Sequence, residues 1–164
     1  MAMIRVLTAG LLLVLAGCSQ TNPLVRTQFN RDAGISGDLP YAPLRWEVMT
    51  CTINHNDHTV ATVFGNTQAI AYARKNVSHQ YPDGSVISKI TWSQQHDSRW
   101  FGGNIPGKVL SVEFLEVQAP TNHSRIHLYT MYGGSPLKRL TSTEERVPIG
   151  RAAELLAQRA AVMP

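Results

Sequence analysis

The residues of this 164-residue chain best suited to chemistry lie between two strand-like runs, Val86–Trp92 and Val109–Val117. The stretch joining them carries His96, Asp97, Arg99, Trp100 and Phe101, then Gly102, Gly103, Pro106 and Gly107. An imidazole beside a carboxylate and an aromatic wall can bind a ligand, shuttle a proton or coordinate a metal. The plainer expectation has Trp100 and Phe101 tucking the loop against the sheet while His96 and Asp97 face water. His96, Asp97, Arg99, Trp100 and Phe101 are therefore the candidate ligand-binding loop, with packing expected of the two aromatics.

Other groups offer less. His55-Asn56-Asp57-His58 supplies two imidazoles and a carboxylate, so His55 and His58 are weak metal candidates. Zinc sites need three or four protein ligands, and the composition here is that of a hairpin tip. Glu113 falls inside a strand-like run; if buried, it needs a cationic partner or its pKa rises. Cys51, between Met49 and Ile53 in another such run, is expected to be a small buried hydrophobe. No C-x-x-C, C-x-x-C-H, zinc-type cysteine spacing, G-x-S-x-G or phosphate-cradling glycine loop occurs. No catalytic residue is assigned, and a binding protein is favoured over an enzyme.

The 15 basic residues against 11 acidic ones give a net charge of +4. They are scattered, without the basic stripe that a nucleic-acid surface requires, so no nucleic-acid partner is expected. The amino terminus reads as a processing segment. Arg5 precedes the apolar run Val6–Ala16, which is shorter than the roughly 20 residues of a membrane-spanning helix and suits a secretory signal. The run ends in Leu15-Ala16-Gly17-Cys18, which resembles the lipobox of bacterial lipoproteins. That resemblance implies cleavage before Cys18, diacylglycerol and palmitate chains on Cys18, and a cell-envelope location with the domain in the periplasm. Ser19 favours the outer membrane over the inner. Residues 1–17 are then the signal peptide, 18–40 a lipidated flexible tether, and 41–164 the domain.

The elements that must position these residues follow from periodicity. Trp46–Ile53 alternates and Thr59–Phe64 is a second strand, with Asn54–His58 as the hairpin tip. Asn66 is an N-cap for a helix through Arg74. Tyr81-Pro82-Asp83-Gly84 is a turn whose glycine accepts positive φ. Val86, Ser88, Ile90 and Trp92 share one strand face; Ile87, Lys89 and Thr91 share the other. Val109–Val117 is apolar on both sides and is expected to be central, with Glu113 on the face of Val109, Leu115 and Val117. Ile126–Tyr132 is a further strand before Gly133-Gly134-Ser135-Pro136. Pro148–Met163 repeats at helical spacing and reads as the clearest helix. Serial strands with hairpin connections and two helices indicate an α+β domain around an antiparallel sheet.

Phe64-Gly65-Asn66 before the first helix, Tyr81-Pro82-Asp83-Gly84-Ser85-Val86, and Ile105-Pro106-Gly107 leading into Ser111-Val112-Glu113-Phe114 together resemble the cytochrome P-460 family of bacterial periplasmic haem proteins. The resemblance covers about Trp46 to Val117, with weaker agreement to the end. It implies an antiparallel sheet with helices, often dimeric, so a homodimer is a family expectation. It also implies a c-type haem, used to oxidise hydroxylamine or handle nitric oxide. In that family the haem is held near the C-terminus by C-x-x-C-H, whose histidine ligates iron, and a lysine makes a further bond to the porphyrin. This sequence has no cysteine after Cys51 and no histidine in Gln158–Pro164. Covalent c-type attachment is chemically excluded, and Lys75 or Lys89 inherits no porphyrin bond. The expectation is a haem-less, non-catalytic binding module with no cofactor, taking a small ligand or an envelope protein as partner. The alternative is a redox enzyme or sensor holding haem or a metal non-covalently through His96 or His79.

Overall fold

Six strands run in sequence order across one sheet, each antiparallel to the next. In the computed structural model, residues 30–75, 80–121, 124–141 and 150–161 are described. The signal, Cys18, Ser19, His79 and both ends of the expected C-terminal helix lie outside them. Asp32–Pro164 forms one compact unit. The strands are β1 (Glu47–Asn54), β2 (Thr59–Gly65), β3 (Val86–His96), β4 (Asn104–Thr121), β5 (Ser124–Gly133) and β6 (Lys138–Arg139). Among the described residues the α-helices are α1 (Thr67–Lys75) and α2 (Arg151–Leu156). This is the antiparallel α+β architecture expected. Among the described residues, no helix is long and apolar enough to cross a membrane.

Local chemistry sets the connections. At the β1–β2 tip the Asn54 side-chain oxygen accepts from the amides of Asn56 at 3.0 Å and Asp57 at 3.2 Å, which closes the hairpin. Asn66 begins α1 as expected: its Oδ1 accepts from the Ala69 amide at 3.0 Å, while its Nδ2 donates to the Gly84 carbonyl at 2.8 Å. Gly84 has φ of +79°, and the Ser85 amide closes that turn onto Pro82. One side chain thus ties a helix start to a turn 18 residues away. Asn66→Ala should lower the unfolding free energy by about 1–2 kcal/mol, measured by urea denaturation. Asn66→Ser, which caps the helix but lacks the amide donor, should fall between the two.

The sheet buries both faces. On one, Val86, Ile90, Trp92, Val112, Phe114 and Tyr132 form a core with Phe64 and Leu137. That core is covered by Ala33, Ile35, Leu39, Tyr41 and Trp46. Trp92 Nε1 donates to the Ala33 carbonyl at 3.0 Å, and the Leu137 amide to Ser36 at 2.8 Å. The polar stretch expected to be tether up to Pro40 is therefore packed from Ala33 onward, because its few apolar residues meet an uncovered sheet face. On the other face Ile87, Leu115, Val63 and Val117 meet Ala69, Ile70 and Ala73 of α1 and Leu155 of α2.

Three expectations are corrected. Cys51 is exposed, since β1 is an edge strand burying only Met49; its Sγ lies 3.4 Å from Thr62 Oγ1. The β3–β4 register slips between Thr91 and Trp92, so that Trp92 pairs with Val109. The extra residue, Leu110, is left exposed, and Val109 joins the Phe114 core instead of sharing a face with Glu113. Finally, α2 ends at Leu156 rather than continuing to Met163. The chain beyond it gives its backbone groups to the domain instead: Gln158 carbonyl accepts from Tyr81 Oη at 3.0 Å, and the Ala161 amide donates to the Met49 carbonyl at 2.7 Å.

Candidate functional site

Glu113 stands mid-strand in β4, in register with Lys89 of β3 and Met131 of β5. Its side chain is fully buried, a position a carboxylate holds only with strong partners. The partners come from two directions. Arg151, the first residue of α2, donates Nε to Oε2 at 2.7 Å and Nη2 to Oε1 at 2.8 Å, a fork-to-fork pair. Tyr129 Oη donates to Oε2 at 2.7 Å. Arg151 Nη1 continues to Glu154 Oε2 at 2.6 Å, and Lys89 Nζ reaches Glu154 Oε1 at 3.1 Å. The result is one chain of polar groups, Tyr129–Glu113–Arg151–Glu154–Lys89, between the sheet and α2.

The electrostatics agree with that geometry. Burial, then the hydrogen bond and charge of Glu113, raise the Tyr129 pKa far above the phenol value, so this hydroxyl keeps its proton. The hydrogen bond to Glu113 raises Arg151 in spite of its partial burial. Burial pushes Glu154 upward, but the bonds and charges of Lys89 and then Arg151 outweigh it and hold the carboxyl below its ordinary range.

Two cavities flank this chain and share Thr91 and Arg151 as walls. The smaller, about 440 Å³, is bordered by Leu110, Ser111, Met131 and Leu140 beside Glu113 and Tyr129. The larger, about 680 Å³, is bordered by Thr52, His55, Asp57, Thr59, Lys89 and Glu154. Thr91 Oγ1, at their junction, is buried and makes no hydrogen bond among the described residues. The face is thus a cleft, apolar at one end and charged at the other. It suits a small amphipathic ligand. Arg151 and Lys89 are engaged by carboxylates, and the Tyr129 hydroxyl donates to Glu113.

The sequence candidates lie elsewhere. His96–Gly102 forms the far end of the β3–β4 hairpin, where His96 pairs with Asn104. Trp100 is 75% exposed and Phe101 105%, so the expected packing of these rings against the sheet is corrected. The strands overrun the rest of the sheet here and leave the rings nothing to pack against. Asp97 organises the turn: its Oδ1 accepts from the Arg99 amide at 2.9 Å and from Arg99 Nε at 3.3 Å. The backbone bond comes first and the guanidinium adds to it, and together they lower the Asp97 pKa against burial. This loop shares no lining residue with the Glu113 cleft. His55 borders the larger cavity with Asp57, while His58 does not. Among the described residues, no group of three or more His, Cys, Asp or Glu is placed to hold a metal.

Arg151, Glu154, Tyr129 and Thr91 were not candidates from sequence. The one signal for them was the need of Glu113 for a cation, and nothing in the spacing says which of 15 basic residues supplies it. No curated protein matches the chain. The family model for cytochrome P-460 matches residues 44–136, from the approach to β1 through β5 and the turn after it, with Lys89, Glu113 and the projecting hairpin inside the match. Since that match covers more than half of the chain and the antiparallel α+β fold agrees with it, the protein belongs to the cytochrome P-460 family.

Proposed function

We propose that this protein is a lipid-anchored envelope protein whose cytochrome P-460 domain serves as a haem-less binding module, its ligand seated in the cleft beside Glu113 and Arg151. The family is a haem-binding one, so the residues present must be weighed against a haem. Attachment in the c-type manner needs two thiols and a histidine in one short segment. The only cysteines are Cys18 and Cys51, and Cys51 lies exposed on the edge strand. The Lys89 ammonium is ion-paired with Glu154 and so is poorly suited to bond a porphyrin. The residues do not fit a covalent haem.

One observation carries the reading: Arg151, the first residue of α2, closes onto the buried Glu113 between the two cavities. An electrostatically closed pair of this kind holds the cleft in one shape and leaves its polar and apolar ends open to a ligand. The anchor rests on Leu15-Ala16-Gly17-Cys18. Protein purified from its native envelope should show a featureless visible spectrum and no stoichiometric metal by mass spectrometry. A Soret band that acid–acetone extraction removes would sink the haem-less reading and favour haem held non-covalently, with His96 and His79 as the first ligands to test and His55 at the cleft after them.

A further inference from the structure

We infer that the tip of the β3–β4 hairpin is a second membrane contact, with Trp100 and Phe101 entering the interfacial layer of a lipid bilayer and Arg99 lying among the headgroups. The two rings are neighbours in sequence, and they are the most exposed of the large hydrophobic side chains among the described residues. They are not loose. The Trp100 amide donates to the Asp97 carbonyl at 3.3 Å, the Gly103 amide to the Trp100 carbonyl at 3.0 Å, and the Asp97 amide to the Gly103 carbonyl at 2.9 Å. Gly102 supplies the positive φ, +73°, that the reversal demands. A turn this well bonded holds both rings outward without help from the core. Solvent exposure of so much aromatic surface has a cost in water, which points to an occupant.

The size of the patch selects that occupant. Two aromatic side chains bury about 150–250 Å² each, less than the roughly 800 Å² that each partner contributes to a standard protein interface. A bilayer sets no such minimum: single rings, tryptophan above all, partition to the water–lipid boundary. The charges at the tip are compatible. Arg99 is 66% exposed, and the carboxylate of Asp97 is turned inward onto the Arg99 amide and guanidinium. The proposal also draws on the lipid-anchor reading. Ser19–Phe29, the eleven residues between Cys18 and the first described residue, can reach about 40 Å at most. A domain held that close to a surface needs only a weak additional contact to settle on it.

The test uses the full chain. Labelled palmitate fed to producing cells reports the anchor. The purified protein is then reconstituted into phosphatidylethanolamine–phosphatidylglycerol vesicles whose acyl chains carry bromine. Trp100 emission should be blue-shifted and quenched; Trp100→Phe should remove most of the quenching although Trp46 and Trp92 remain, and Phe101→Ser should reduce it several-fold. Equal quenching in the wild type and in Trp100→Phe overturns the membrane contact. So does a dimer in sedimentation that Phe101→Ser dissociates, because a second copy then covers the tip. Palmitate incorporation without Trp100 quenching removes the contact and leaves the anchor standing. Quenching without palmitate does the reverse.

Discussion

Arg151→Met is expected to cost about 3–5 kcal/mol of folding stability, because it strands a buried carboxylate. Glu113 has no solvent to fall back on, and Arg151 gives it two parallel hydrogen bonds. Among the described residues, Tyr129 would then be left as its donor. The loss should be visible as a large drop in the urea midpoint with little change in slope. Two controls separate this from loss of packing. Glu113→Gln/Arg151→Met should recover much of the stability, since the charge is removed together with its partner; the coupling appears in the double-mutant cycle. Arg151→Lys should rescue only in part, because an ammonium cannot reproduce the two parallel bonds. The surface pair Arg74–Glu47, with both side chains more than half exposed, provides the scale. Arg74→Met should change stability by less than about 1 kcal/mol. If Arg151→Met costs no more than Arg74→Met, Glu113 is not held as a charge and the cleft is not locked by the pair.

Much of this was written in local sequence, and what was not has a common cause. Asn66 and Gly84 work through bonds to groups whose positions a turn or helix dictates, so their roles were legible. The alternation of Val86–Trp92 likewise shows which residues face which side. Pairing of Glu113 with Arg151 spans 38 residues and depends on where α2 docks, which no periodicity encodes. The exposure of Trp100 and Phe101 depends on how far β3 and β4 run past their neighbours; an aromatic loop looks the same in sequence whether the sheet stops before it or beside it. Val109 and Leu110 were misplaced by a single extra residue in β4, which alternation cannot anticipate. The order of Ala33–Leu39 was hidden by its polar composition: a few apolar side chains suffice when a sheet face is waiting for them.

That last point has a measurable consequence at Phe114. The ring is fully buried at the centre of β4, 5.6 Å from the ring of Tyr41 and 5.8 Å from that of Tyr132, the latter edge-on. Phe114→Ala should destabilise by about 3–5 kcal/mol through lost burial and the cavity left behind. Leu115→Ala, one residue on and equally buried, should cost about 2–5 kcal/mol on the opposite face. The two differ in where the damage is felt. Phe114 is the floor on which Tyr41 rests, so its loss should also weaken protection of the Ile35–Trp46 amides beyond the global effect. Leu115 touches the α1–α2 side and should lower protection of that segment only by the global amount. Native-state hydrogen exchange under conditions where both variants remain folded reads the difference. If the two variants leave Ile35–Trp46 equally protected relative to their global stabilities, the segment is held by its hydrogen bonds to Trp92 and Leu137 and not by the ring. If Phe114→Ala alone releases it, aromatic packing decides where the folded domain begins, and the chain leading back to Cys18 is shorter than its composition implies.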